Sequence, residues 1–369
     1  MCAFKVFAIN PGSTSTKIAL FEGEKELFSK NVSHDASKLK EFKEIKDQLP
    51  YRKETILHEL ATAHISLQGV DAFSARGGGL VSVKSGVYNI GKILLQHAIE
   101  GHTVKHPATL GAQLAHLFAK EYGGKAFVVN PPDVDELQDV ARVTGLKNIY
   151  RQSAIHALNQ KEIALRYAKS IDKKYEDLNL IICHIGGGIS VTAHRNGQMI
   201  DSNDIANGDG PMAPTRCGAM AVRDIIDLCF SGKFTKKEMY DKMTKTGGLS
   251  DHLGTSDARE VEAKIEKGDQ YAKVVYDAMI YQIAKTAGSM AAVLHGKVDA
   301  IILTGGISYD KYVVGNLKES LSFIAPIVVM AGEFEMEALV AGAIRVLSGQ
   351  EKALEYTGKP VWTGFIFSK

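Results

Sequence analysis

The sequence predicts two α/β domains of similar topology with a ligand cleft between them. Three observations carry this. The chain has 369 residues, enough for about two domains with cores of ordinary size. An apolar β-type run, a turn of small residues and a second β-type run occur near residue 5 and again near residue 178. Glycine, at 35 residues against 9 prolines, gathers in the turns that close predicted strands. In α/β proteins such turns let a ligand lie against bare backbone. The repeat is too long and too irregular for a solenoid period.

Taken in order, residues 5–9 (KVFAI) read as a strand that ends in the turn signal Asn10-Pro11-Gly12-Ser13. Residues 17–21 and 24–33 continue as antiparallel strands around the Gly23 turn. Helical spacing follows over 36–47 and 52–66. Residues 72–75 form a short strand that runs into Arg76 and three glycines. Leu110, Leu114, Leu117 and Phe118 mark a helix within 106–121, and residues 126–129 a buried strand closed by Asn130-Pro131-Pro132. The second half repeats the plan. A helix over 153–170 precedes an apolar strand over 178–184 and the triplet Gly186, Gly187, Gly188. Strands 189–193 and 199–203 flank Arg195-Asn196-Gly197-Gln198, a hairpin signal. Helices near 219–231, 235–244, 268–295 and 335–348 and strands at 299–303 and 324–330 complete it. The expected domains are 1–150 and 151–348, with a tail, 349–369, packing back on the first.

Composition narrows the function. With 45% apolar and 23% charged residues the chain is globular. Lys+Arg 44 against Asp+Glu 42 leaves +2, so overall charge argues for neither a nucleic-acid nor an anionic-membrane partner. Cys2, Cys183, Cys217 and Cys229 form no CxxC pair, which argues against zinc and thiol-redox chemistry and suits a reducing cytoplasm. No apolar run reaches the ~18 residues of a membrane span, and the first ten residues are too polar-flanked for a signal peptide.

Five groups of residues carry chemistry. In NPGSTSTK, Asn10, Ser13 and Ser15 crowd a tight turn that Lys17 closes, so backbone N–H groups, hydroxyls and one cation can converge on phosphate oxygens. The spacing is not that of a Walker loop. His184 with Gly186, Gly187 and Gly188 offers a second such turn, and Thr304, Gly305 and Gly306 a third at a strand end. Arg76 and Arg216 sit in turn-rich segments, where rigid forks suit a carboxylate or a transferring phosphoryl group. Asp133, Asp135, Glu333 and Glu335 are candidate acids for Mg²⁺, although acids at a helix start also serve the helix itself.

These motifs together resemble the acetate kinase family of the actin, sugar-kinase and heat-shock ATPase superfamily. Residues 76–80 (RGGGL), 134–137, 155–161 and 335–339 are similar to its butyrate-directed branch, and the likeness spans essentially the whole chain. The resemblance implies two ribonuclease-H-like domains of the actin-like ATPase kind. It implies ATP and Mg²⁺ as cofactors and reversible formation of an acyl phosphate from a short-chain carboxylate such as butyrate or isobutyrate. A homo-oligomer is also implied. Asn10, Ser13, Ser15 and Lys17 then match the first phosphate loop, His184 and Gly186 to Gly188 the second, and Gly305 and Gly306 an adenosine loop. Arg76 and Arg216 match two active-site arginines, and His156 the histidine at the transferring phosphoryl group. His106, Gly78 and Ile155 match the carboxylate pocket. Where acetate kinases carry a catalytic aspartate this chain has Asn130, so the role passes to Asp133 or Asp135. The late metal-side acid is Glu333 or Glu335. Gly78 and Ile155 stand where acetate kinases have valine and phenylalanine, which predicts room for a longer acid. The rival readings are an acetate or propionate kinase and a non-catalytic ATP switch. A sugar kinase would need an aspartate base. A carboxylate, ionised above its pKa of ~4, needs none.

Overall fold

The computed structural model describes residues 3–365. It divides into two compact units. The first holds residues through Asp135, Ala157–Asn159 and the chain from Phe334 onward; the second holds Glu136–His156 and Gln160–Glu333. The expected boundary at 150 therefore lies inside the second unit, and the one at 348 inside the first.

The strands in chain order are β1 (Lys5–Pro11), β2 (Ser15–Glu22), β3 (Lys25–Ser33), β4 (Ala72–Ala75), β5 (Val87–Asn89) and β6 (Lys125–Val129). They continue as β7 (Leu180–Ile185), β8 (Ile189–Arg195), β9 (Gln198–Ser202), β10 (Ala300–Gly305), β11 (Ile327–Ala331) and β12 (Leu354–Glu355). The second unit's sheet has the order β11-β10-β7-β8-β9. β7, β8 and β9 form an antiparallel meander, and β10 and β11 add in parallel on the other side of β7. The first unit's sheet, β12-β5-β6-β4-β1-β2-β3, contains the same pattern in β3-β2-β1-β4-β6. β5 then adds antiparallel to β6 and β12 parallel to β5. The repeat seen in the sequence is thus a repeat of topology. The described part of the tail contributes β12 to the first unit's sheet, and residues 366–369 lie outside the described chain.

Alternation along β1 builds two cores at once. Phe7 and Ile9 pack with Ile56 and Leu60 of the helix Leu49–Thr62 and with Leu114 and Phe118 of the helix Leu110–Tyr122. Val6 and Ala8 pack with Phe127, Leu339 and Ala343, the last two from the helix Glu335–Leu347. That helix lies close to the sheet because Gly342 has no side chain: a Cβ there would fall 2.6 Å from Val129 Cγ1. In the second unit Ile181, Cys183 and Ile185 face the long helix Gln270–Val293 through Tyr276, Met279 and Ile283.

The expected elements form, with shifted ends. Residues 36–47 split into a helix, Ala36–Glu41, and a 3₁₀ turn, Ile45–Gln48. Sequence reading passes over the helices Lys92–Glu100, Ala258–Glu266 and Lys311–Leu321. The last carried a legible signal, since Val313, Leu317 and Leu321 recur at helical spacing and are buried.

Candidate active site

In the first unit the turn between β1 and β2 is closed by Gly12 N–H donating to Ser15 O at 2.7 Å. Ser13 is exposed, Ser15 half-buried, and Lys17 lies exposed on β2 opposite Asn10 in the ladder. Asn10 is buried, and its Nδ2 donates to Glu335 Oε2 at 2.5 Å. The other oxygen of the same carboxylate, Oε1, stands 3.7 Å from Arg76 Nη1. Arg76 follows β4, where its own N–H donates to Ile9 O at 3.3 Å. Parallel pairing of β1 and β4 therefore brings Asn10 and Arg76 together, and the start of the helix Glu335–Leu347 adds the acid. Of the two late acids, Glu335 joins this cluster, whereas Glu333 belongs to the second unit.

The triplet after Arg76 is glycine for backbone reasons. Gly77, Gly78 and Gly79 have φ of 68°, 146° and 72°. A Cβ on Gly77 would fall 2.6 Å from Val128 Cγ1, and one on Gly79 2.8 Å from Thr109 Cγ2. At Gly78 a Cβ would have ordinary room, 3.4 Å from Ala108 Cβ and 3.6 Å from Pro132 Cγ. There the dihedral angle is the obstacle, not space.

Asp133 does not join Asn10 and Glu335. Its Oδ1 accepts from Leu80 N at 3.1 Å and Thr103 Oγ1 at 3.5 Å, which braces the turn that ends the glycine triplet. Its Oδ2 is buried without a hydrogen-bond partner, and burial pushes the carboxyl up to about 7. Asn130, at the position of the family aspartate, adopts a left-handed φ of 37° and accepts from Gly86 N at 2.8 Å. Asp135 is buried, and its N–H donates to Val83 O at 2.8 Å. His106 caps the 3₁₀ turn Pro107–Thr109 by accepting from Ala108 N at Nδ1, 3.1 Å away, which assigns its proton to Nε2. Desolvation and then the charges of Arg76 and Arg52 lower its pKa, so the ring is neutral.

In the second unit Gly186, Gly187 and Gly188 follow β7. A Cβ on Gly188 would fall 1.2 Å from Arg216 Nη1, so the guanidinium lies where a side chain would otherwise be. Thr215 Oγ1 donates to Gly187 O at 3.0 Å, which ties the arginine's segment to the turn. Arg216 Nε and Nη1 are buried and have no hydrogen-bond partner, and burial lowers the arginine's pKa. A guanidinium remains charged even so. Two buried donor nitrogens on a cation, laid along a glycine turn, are prepared for an anion. The rings of His156 and His184 stack at 4.0 Å, and His156 Nδ1 lies 3.0 Å from Ser190 Oγ. Gly305 has φ 88°, and a Cβ there would fall 2.4 Å from Ile185 O, whereas Gly306 has open space beside it. Ile155 is buried.

Comparison with known proteins decides the family. The sequence profile of the Acetokinase family matches residues 128–324. Butyrate kinase 2 of Clostridium acetobutylicum is 46% identical over 353 residues, 96% of this chain and 99% of that protein. The chain belongs to the acetokinase family. The crystal structure of Porphyromonas gingivalis acetate kinase superposes with TM-score 0.75 at 19% identity, over 94% of this chain and 100% of that one. A propionate kinase from Francisella tularensis subsp. tularensis SCHU S4 does so with TM-score 0.71 at 20% identity, over 92% and 98%. These likenesses place this acetokinase in the two-domain actin-like ATPase fold expected from its motifs.

Sequence reading of this acetokinase missed two residues behind the site. Gln160 Nε2 donates to Ser190 Oγ at 3.1 Å, and its Oε1 accepts from His194 Nε2 at 3.0 Å. Ser190 in turn meets His156, so Gln160 stands behind that histidine. The other is Arg52, wholly buried beneath the first turn. Both carried a signal: Gln160 is one turn on from His156, and Arg52 shares a helical stripe with Ile56 and Leu60. A polar side chain on an apolar stripe has to be paired with something.

Proposed function

We propose that this acetokinase transfers the γ-phosphoryl group of ATP to a short-chain carboxylate, butyrate or isobutyrate, and runs in reverse to make ATP. The observation that carries the reading is Arg216, whose Nε and Nη1 are buried without partners and whose guanidinium lies against Gly188. The 46% identity to Butyrate kinase 2 supports the choice of acid.

The chemistry follows from the residues. The acceptor carboxylate is already ionised at neutral pH, so the protein needs no general base. It has to align nucleophile and phosphorus and stabilise charge on the phosphoryl oxygens. Arg76 holds the carboxylate, and neutral His106 donates to it from Nε2–H. Arg216 and His156 bind the phosphoryl oxygens. Ser13, Ser15, Lys17 and Gly186 to Gly188 hold the nucleotide's phosphates, and Gly305 and Gly306 its adenosine. Asn10 and Glu335, an amide and a carboxylate already in contact, are a donor set that fits Mg²⁺. Bound there, Mg²⁺ would neutralise phosphate charge. Asp133 acts through the turn at Leu80 and not on the metal.

No helix among the described residues is long and apolar enough to cross a membrane. ATP as substrate and the scattered cysteines favour the cytoplasm. The helix Val222–Phe230 buries none of its residues and exposes Val222, Ile226 and Phe230, which favours a homo-oligomer. Initial rates with acetate, propionate, butyrate and isobutyrate, each with ATP and Mg²⁺, test the reading. Butyrate or isobutyrate should lead, and absence of acyl phosphate from every acid would refute it.

A further inference from the structure

Arg52 is the largest fully buried side chain of the described residues, with 0% exposure. It sits on the helix Leu49–Thr62, and its guanidinium grips the β1–β2 turn from below. Nη1 donates to Gly12 O at 2.9 Å, Ser15 O at 3.2 Å and Thr16 Oγ1 at 3.2 Å. Nη2 donates to Ser13 O at 3.0 Å, and Nε donates to Gln48 Oε1 at 3.1 Å. Every partner is a neutral oxygen. Among the described residues no carboxylate pairs with it.

Two consequences follow. In a trans peptide the C=O and the next N–H point in opposite directions. Because Arg52 draws the carbonyls of Gly12 and Ser13 inward, it turns the N–H groups of Ser13 and Thr14 outward. Neither N–H has an acceptor among the described residues, and both residues are exposed. The turn therefore presents two adjacent free donors, the arrangement that binds anions. The second consequence is electrostatic. A buried cation without a carboxylate partner is costly to keep, and an anion on the outer face of the turn compensates it.

We propose that Arg52 is the positioning residue of this turn, holding the Ser13 and Thr14 N–H groups toward the phosphate tail of the nucleotide and placing a positive charge beneath them. This rests on the nucleotide reading given above. Gln48 orients the guanidinium through Nε, as a neutral partner that leaves the charge uncancelled. Lysine cannot replace the fork, since one ammonium does not span carbonyls at Gly12, Ser13 and Ser15 together.

The test compares the wild-type chain with Arg52→Lys, with thermal melts confirming that each is folded. ADP affinity is measured by titration, and KM for nucleotide and for butyrate are measured separately. Hydrogen exchange at the Ser13 and Thr14 amides is followed in the wild type with and without saturating ADP. Arg52→Lys should weaken ADP binding at least tenfold and raise the nucleotide KM in step, with the butyrate KM within about threefold of wild type. A purely structural arginine would not produce that split. ADP should slow exchange at both amides at least tenfold. A folded Arg52→Lys that binds ADP like the wild type overturns the proposal. If Arg52→Lys does not fold, the wild-type amides decide, and a protein that transfers phosphate without protecting them overturns this inference alone. A wild type that binds no nucleotide overturns the functional reading and this inference with it.

Discussion

Replacing Arg216 by methionine should separate activity from stability. Methionine is an unbranched side chain that can fill space along Gly188 but donates nothing. In the free protein Arg216 keeps two guanidinium nitrogens, Nε and Nη1, buried without partners. Each such group costs about 1–3 kcal/mol. Removing both relieves about 2–6 kcal/mol of that burden, part of which is lost again to poorer packing. On the proposed reading both nitrogens meet phosphoryl oxygens in the transition state, and hydrogen bonds to charged groups are worth about 1.5–3 kcal/mol each. Their loss, about 3–6 kcal/mol, corresponds to a fall of about 10²–10⁴-fold in kcat/KM. The expected result is a variant with unchanged or higher melting temperature and activity at least a hundredfold lower. Acyl phosphate trapped as its hydroxamate measures the rate, and a thermal melt in the absence of nucleotide measures stability. More than a tenth of wild-type activity would remove Arg216 from the phosphoryl site. A melting temperature several degrees lower would show that the guanidinium stabilises the free fold, which would refute the idea of donors held in reserve.

Three further outcomes follow from the geometry. Because burial raises the Asp133 carboxyl to about 7, the folded state holds a proton there that the unfolded chain releases near 4. Stability should therefore fall as pH rises from about 4 to about 7 and level off above, and Asp133→Asn, which keeps an acceptor for Leu80 N, should flatten that slope in melts across the range. Glu335→Gln should raise the Mg²⁺ concentration needed for half-maximal rate severalfold, while Glu333→Gln should leave it unchanged; the reverse pattern would move the metal to the other acid. Each methylene buried beside the carboxylate site is worth about 0.8 kcal/mol, roughly fourfold, so butyrate should exceed acetate in kcat/KM by about tenfold or more. Ile155→Phe is the variant that tests this volume argument, by a selective loss for butyrate. Gly78→Val is unsuitable, because φ of 146° would strain any side chain and lower stability whatever acid is bound.

Much of this protein was legible in its sequence because the relevant rules act over short spans. The apolar β-type run at residues 5–9, the turn at Asn10 to Ser13 and the glycines after 184 are local patterns, and each formed the element expected of it. The two halves repeat in topology for the same reason, since strand, turn and hairpin are all read within about thirty residues. Choosing among like residues was beyond that reach. Glu333 and Glu335 are indistinguishable as letters, and only the helix Glu335–Leu347 lying against β1 brings Glu335 to Asn10, 325 positions away. Asp133 had the right type and the right neighbourhood in sequence. The fold turns its carboxylate under Leu80, where burial raises its pKa to about 7. Arg52 looked like one helix cation among many until the helix Leu49–Thr62 set it beneath Gly12, 40 positions earlier. Hydrogen-bond partners and desolvation are properties of neighbours in space, so which arginine is satisfied, which is left waiting for an anion and which acid keeps its proton were decided by tertiary structure alone.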